Sequence, residues 1–187
     1  MNTLKEYRFV LPVAIITFLM LTFTAQAQEA TPYRFNLVPP SATIASCMPD
    51  ASVMVTVFPK EEVRGVDTID IKAQGLLPNT AFTVFLTELP DLPFGAAEYI
   101  GEFTTNPAGR GVLRVDATIE EAFASTVVNG TRVRAELNHI VLWFADPAAD
   151  DVCFAPATGP ITPFDGDGQA GATAASSKNF LPGAPLP

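Results

Sequence analysis

From Val53 to Phe144, apolar and polar residues alternate with a period of two in short runs broken by glycine, proline and asparagine. That period places successive side chains on opposite faces of an extended strand, so each run fits a strand with one face in a core. Val53, Val55 and Val57 alternate with Met54, Thr56 and Phe58, and Ile69, Ile71 and Ala73 with Thr68, Asp70 and Lys72. Phe82, Val84 and Leu86 alternate with Ala81, Thr83, Phe85 and Thr87. In the run from His139 to Ala145, Ile140, Leu142 and Phe144 face away from Val141 and Trp143, so it is apolar on both sides. Such a strand is expected at the centre of a sheet, covered on both faces.

Turn chemistry supplies the connections. Tyr99–Thr105 and Gly111–Ala117 flank Asn106-Pro107-Ala108-Gly109, which predicts a hairpin with Phe103, Leu113 and Val115 facing inward. Asn129-Gly130 sits between Val127-Val128 and the alternating run Arg132–Leu137, and Asn-Gly is the favoured two-residue hairpin turn. Thr118-Ile119-Glu120-Glu121 fits a capping box, predicting one or two helical turns over Ile119–Ser125. From Ala155 onward, 18 of the final 33 residues are Ala, Gly or Pro, too little bulk to bury a core, so residues 155–187 read as a flexible, disordered tail. The expected fold is all-β, one immunoglobulin-like sandwich over residues 28–154 with a short helix.

The N-terminus reads as a secretory signal. Lys5 and Arg8 precede an apolar run from Phe9 to Ala25, which leads into the small-residue site Ala25-Gln26-Ala27. At roughly 17 residues the run is at the short limit for a bilayer span, so residues 1–27 are expected to be removed. The protein is then secreted, periplasmic or held at the cell surface, with no stable membrane span. Cleavage would take away two of the 11 basic and one of the 20 acidic residues, leaving a formal charge of −10. That charge repels phosphate backbones, so no nucleic-acid partner is expected. The two cysteines, Cys47 and Cys153, lack C-x-x-C spacing and read as a disulfide in an oxidising compartment.

Gly75-Leu76-Leu77-Pro78-Asn79-Thr80-Ala81-Phe82-Thr83-Val84 resembles a stretch common in bacterial immunoglobulin-like and fibronectin-type modules. Gly101-Glu102-Phe103-Thr104-Thr105-Asn106-Pro107-Ala108-Gly109 is similar to their hairpin. The resemblance covers about a quarter of the expected domain. It implies a sandwich used for adhesion, carbohydrate contact or spacing, and it brings no catalytic residues.

Residues able to carry chemistry are few. One histidine, His139, is too little for a histidine-rich metal site, and no G-x-S-x-G elbow accompanies it. Asp165-Gly166-Asp167-Gly168 has the carboxylate–glycine rhythm of a calcium loop without its closing glutamate. Asp146, Asp150 and Asp151 form a second acidic group, and these five aspartates are the calcium candidates; no other cofactor is expected. Asn129-Gly130-Thr131 also matches a glycosylation sequon. Phe94 and Tyr99 flank a connection carrying Pro90 and Pro93, and are the candidate exposed contact residues. The expectation is a non-enzymatic binding, adhesion or spacer module meeting a protein or a polysaccharide. The alternatives are a carboxylate- or calcium-dependent hydrolase and a structural envelope or matrix component.

Overall fold

A computed structural model describes residues 31–59, 65–119, 122–154 and 172–177. They form two four-stranded antiparallel sheets packed face to face, plus a separate two-stranded ribbon. The first sheet has the order β1-β2-β3-β6: β1 (Tyr33–Leu37), β2 (Ser52–Phe58), β3 (Asp67–Gln74) and β6 (Gly111–Ala117). The second has the order β10-β9-β4-β5: β4 (Ala81–Thr87), β5 (Ala97–Thr104), β9 (His139–Phe144) and β10 (Thr173–Ser176). The ribbon is β7 (Phe123–Val128) with β8 (Thr131–Glu136). The all-β sandwich expected from the sequence is the architecture found.

The registers show why the alternation builds a core. Phe35 pairs with Val55, Val55 with Ile71 and Ile71 with Leu113, giving one inward row across the whole first sheet. Opposite it, Phe103–Phe82–Phe144 and Val84–Leu142 form the inward rows of the second sheet. All of these side chains belong to one buried cluster except Leu113, which is half-buried and packs against it. Each large aliphatic or aromatic side chain removed from water in it contributes about 1.5–3 kcal/mol. Pairing between sheets fails in one expected place. Tyr99–Thr105 and Gly111–Ala117 do not form a hairpin, because β5 pairs with β4 in one sheet and β6 with β3 in the other. Gly101 permits the crossing, since a Cβ there would lie 3.0 Å from the Leu113 side chain.

The two segments carrying the family resemblance dock on each other at this crossing. Thr105 is buried; its hydroxyl donates to the Leu77 carbonyl (2.6 Å) and accepts from the Thr80 N–H (2.9 Å). Gly109, at φ +66°, lies so close that a Cβ would be 2.2 Å from the Leu76 carbonyl oxygen. These contacts make both motifs part of the framework of the fold.

Two further expectations are corrected. The helix expected over Ile119–Ser125 is not found among the described residues: the buried Ala122 donates its N–H to the carbonyl of the buried Ile119 (3.2 Å), Phe123–Ser125 lies in β7, and Glu120 and Glu121 lie outside the described residues. The buried Asp67 carboxylate takes the Ile119 N–H at 2.7 Å, and the β-branched run Thr126-Val127-Val128 favours a strand. The second correction concerns the tail. Residues 172–177 are part of the domain: Ala172, Ala174, Ala175, Ser176 and Ser177 are buried, and β10 completes the edge of the second sheet. Small side chains fit that place, and the backbone supplies most of the contacts. Val38 and Ser176 exchange N–H···O bonds of 2.7 and 2.9 Å, stitching β10 to the end of β1.

A six-residue helix, α1 (Ala42–Cys47), joins β1 to β2, capped by the Ser41 side chain, which accepts the Ile44 N–H at 3.3 Å. A single turn, α2 (Pro147–Asp150), follows β9. Cys47 at the end of α1 is bonded to Cys153 beyond α2, across a sequence separation of 106 residues. Among the described residues no helix is long and apolar enough to cross a membrane.

Candidate functional site: the outer face of the second sheet

The outward face of β4 and β9 is apolar, as the non-alternating run His139–Ala145 predicts, and it is covered by the connection between β4 and β5. Phe85, Phe94, Val141 and Trp143 form a second buried cluster there, separate from the main core. The Phe94 ring stands edge-on to Trp143 (centroids 4.9 Å apart, planes at 85°), and Phe85 meets Trp143 at 4.6 Å. Trp143 is fully buried, and its indole N–H donates to the Thr173 hydroxyl of β10 at 2.6 Å.

The connection is tightly bonded. The Glu88 N–H donates to the Ala96 carbonyl (2.8 Å), Leu89 to Phe94 (2.9 Å) and Phe94 to Asp91 (2.7 Å). The Ala96 N–H is taken by the Glu88 carboxylate at 3.0 Å, and the Thr87 hydroxyl donates to the Leu89 carbonyl at 2.8 Å. The Leu92–Pro93 peptide is cis, and Phe94 adopts φ +48°, a region bulky residues rarely occupy. Phe94 is 2% exposed, so the expectation that it is an exposed contact residue is corrected: it anchors the connection. Periodicity could not reveal this, because the partner ring lies about 50 residues away in sequence.

Tyr99 is 53% exposed and sits edge-on to Phe85 at 5.7 Å. Its phenol pKa is raised by partial burial and by the nearby Glu102 carboxylate, so it stays a neutral hydroxyl. Leu92 (63% exposed) and Leu89 crown the connection, a pair the sequence reading did not single out. Beside them runs a cleft of about 340 Å³, bounded by Pro40, Ser41 and Ile44, by Asp91, Leu92 and Phe94, and by Phe154, Ala172 and Thr173. Ser41 already caps α1 and Thr173 accepts the Trp143 indole, so the cleft offers apolar walls with one carboxylate, Asp91.

No family model matches the chain, and no curated protein matches its sequence.

The titratable candidates have other employment. His139 Nδ1 lies 3.2 Å from the Ser177 hydroxyl, which also accepts the Ile140 N–H at 3.2 Å. Ser177 is buried and holds the strand end, so it is not placed as a nucleophile. Burial lowers the His139 pKa, with the Asp91 carboxylate opposing, so the imidazole is neutral at pH 7. Of the aspartates, Asp150 is fully buried; one carboxyl oxygen accepts the Ala172 N–H, and the other has no hydrogen-bond partner among the described residues. Desolvation raises its pKa, offset in part by the Ala172 N–H and reinforced by Asp151 and Asp146. Among the described residues no three Asp, Glu, His or Cys side chains gather as a metal-holding group. Asp165 and Asp167 lie outside the described residues. Asn129 and Gly130, at φ +51° and +78°, form the ribbon's turn, as Asn-Gly predicts.

Proposed function

We propose that the chain is an exported, non-enzymatic binding or adhesion module that meets a protein or a polysaccharide with the outer face of its second sheet. The observation that carries this reading is the construction of that face. Tyr99, Leu89 and Leu92 are exposed above a fixed base of buried rings, Phe85, Trp143 and Phe94. Aromatic and aliphatic groups held rigid before contact lose little entropy on binding, and such anchors dominate interface energies.

Other features support the reading. A disulfide fits an oxidising compartment, as does a chain that begins with a secretory pattern. The strand order also fits the resemblance. Taking β2, β3 and β6 as strands A, B and E, and β4, β5, β9 and β10 as C, C′, F and G, each sheet keeps the immunoglobulin order. In that alignment β1 and the β7–β8 ribbon are additions and strand D is missing.

The test is retention. The purified protein is immobilised and challenged with envelope and secreted fractions of its source. The Tyr99→Ala/Leu92→Ser double variant should lose at least about tenfold in affinity for the retained species, the scale of truncating one anchor residue. Equal retention by the double variant would refute this placement of the contact face.

A further inference from the structure

Charge is unevenly distributed over the molecule. The strands of the first sheet carry Arg34, Lys72 and Arg114 among their acids, and the ribbon carries Arg132 and Arg134. Across β4, β5, β9, β10 and the connection 88–96 there is no lysine or arginine, and the acidic residues are Glu88, Asp91, Glu98 and Glu102. Glu88 accepts the Ala96 N–H and so belongs to the connection. Asp91, Glu98 and Glu102 are exposed.

A bulge brings one of these carboxylates onto the contact face. Phe103 faces the core, and strict alternation would turn Gly101 and Tyr99 inward with it. The register of β4 with β5 shifts between Val84 and Phe85, so that Glu102 pairs with Thr83 and Tyr99 with Phe85. Thr83 and Phe85 share the outer face of β4, and Tyr99 and Glu102 therefore share that of β5. The Glu102 carboxylate is near enough to help raise the Tyr99 pKa. Glu98 is the chain neighbour of Tyr99 on the edge strand, and Asp91 lines the cleft beside Leu92. Neither Glu98 nor Glu102 forms an ion pair among the described residues, although Arg110 lines a cleft with Glu102.

We infer that the partner of this face is a basic protein segment, whose lysines or arginines meet Glu98 and Glu102 while its apolar side chains cover Tyr99 and Leu92. The inference rests on the contact face proposed above and chooses between its two partner classes. Charge selects the occupant. Opposite potentials across an apolar contact steer association and fix the partner, and like charges are costly. The formal charge of −9 over the whole sequence attracts a cationic segment from a distance. A neutral polysaccharide draws no such attraction, and an acidic one is repelled.

Binding of defined probes to the purified protein, read by fluorescence anisotropy, tests it. Three labelled peptides alternate tyrosine with lysine, with serine or with glutamate, and a labelled neutral glucan is the fourth probe. The lysine peptide should bind tightest and the glutamate peptide least, and the difference should shrink as salt rises. Glu102→Gln should weaken the lysine peptide about threefold at low salt, the scale of one exposed ion pair. Asp50→Asn, an equal loss of charge at an exposed site just before β2, should leave its affinity unchanged. Equal weakening by the two variants, or no preference for the lysine peptide, overturns the inference. Serine-peptide or glucan binding that matches the lysine peptide and is lost in Tyr99→Ala overturns it too, yet leaves the contact face standing. Lysine-peptide binding indifferent to both Tyr99→Ala and Glu102→Gln removes the inference and the face together.

Discussion

Phe94 and Trp143 meet edge to plane at 4.9 Å, and this contact fixes a proline-containing connection onto a sheet face that would otherwise be wet. It makes the proline-containing connection a packed base for the residues exposed above it. It also separates two residues that look alike in sequence: Phe94 holds the platform, and Tyr99 stands on it.

That separation is measurable. Phe94→Ala should destabilise the domain by about 3 kcal/mol, the usual cost of deleting a buried aromatic ring. Tyr99→Ala, at an exposed site, should cost less than about 1 kcal/mol. Denaturant unfolding of the two variants beside the parent checks both figures.

Thr173→Val keeps the shape of the β10 contact but removes the acceptor of the Trp143 indole N–H. A buried donor left unsatisfied costs about 1–3 kcal/mol. Trp143 is the chain's one tryptophan, so its emission reports this site alone. The parent should show the blue-shifted emission of a buried indole and the variant a lower melting temperature.

The disulfide joins α1 to the segment after α2 and closes a loop of 106 residues. In the chain-entropy treatment such a link stabilises by about 4.7 kcal/mol. Cys47→Ser should therefore lower the denaturant midpoint markedly, and adding reductant should lower the parent's midpoint but not the variant's.

Asp150 gives the fold a pH dependence whose sign is fixed by burial. Its folded pKa is raised above the ordinary 3.8, so between the two values the folded state binds more protons than the unfolded chain. Stability from this group is fully present below the unfolded value and is lost as pH rises through the folded one. Asp150→Asn removes that titration. The parent should gain stability relative to the Asn variant as pH falls from neutral toward the ordinary carboxyl range. Unfolding free energies of the pair across that range provide the check, and a constant difference would contradict it.

Much of the fold was legible in the sequence because burial leaves a period. Val53-Val55-Val57 and Ile69-Ile71-Ala73 are inward rows as the alternation predicts, and His139–Phe144 is flanked by two strands and covered on both faces. Alternation says nothing about which sheet a strand joins, so β5 and β6, adjacent in sequence, look like a hairpin although they pair in different sheets. β10 was hidden because alanine and serine carry little hydrophobic signal, and its place is set by backbone bonds to Val38 and β9. The capping-box pattern at Thr118 opens no helix among the described residues, where the Ile119 N–H donates to the distant Asp67 carboxylate. Of the site, the apolar outer face and Tyr99 were visible; the burial of Phe94 and the exposure of Leu92 were not, since both depend on how the 88–96 backbone turns.

The contact face itself is tested most directly by placing a photoreactive amino acid at Leu92, at Tyr99 and, as a control, at Val112, which is 73% exposed on the first sheet. Illumination in the presence of the retained envelope or secreted fraction should yield adducts at positions 92 and 99 and none at 112. Adducts at 112 alone, or equal labelling at all three positions, would contradict a binding face on the second sheet.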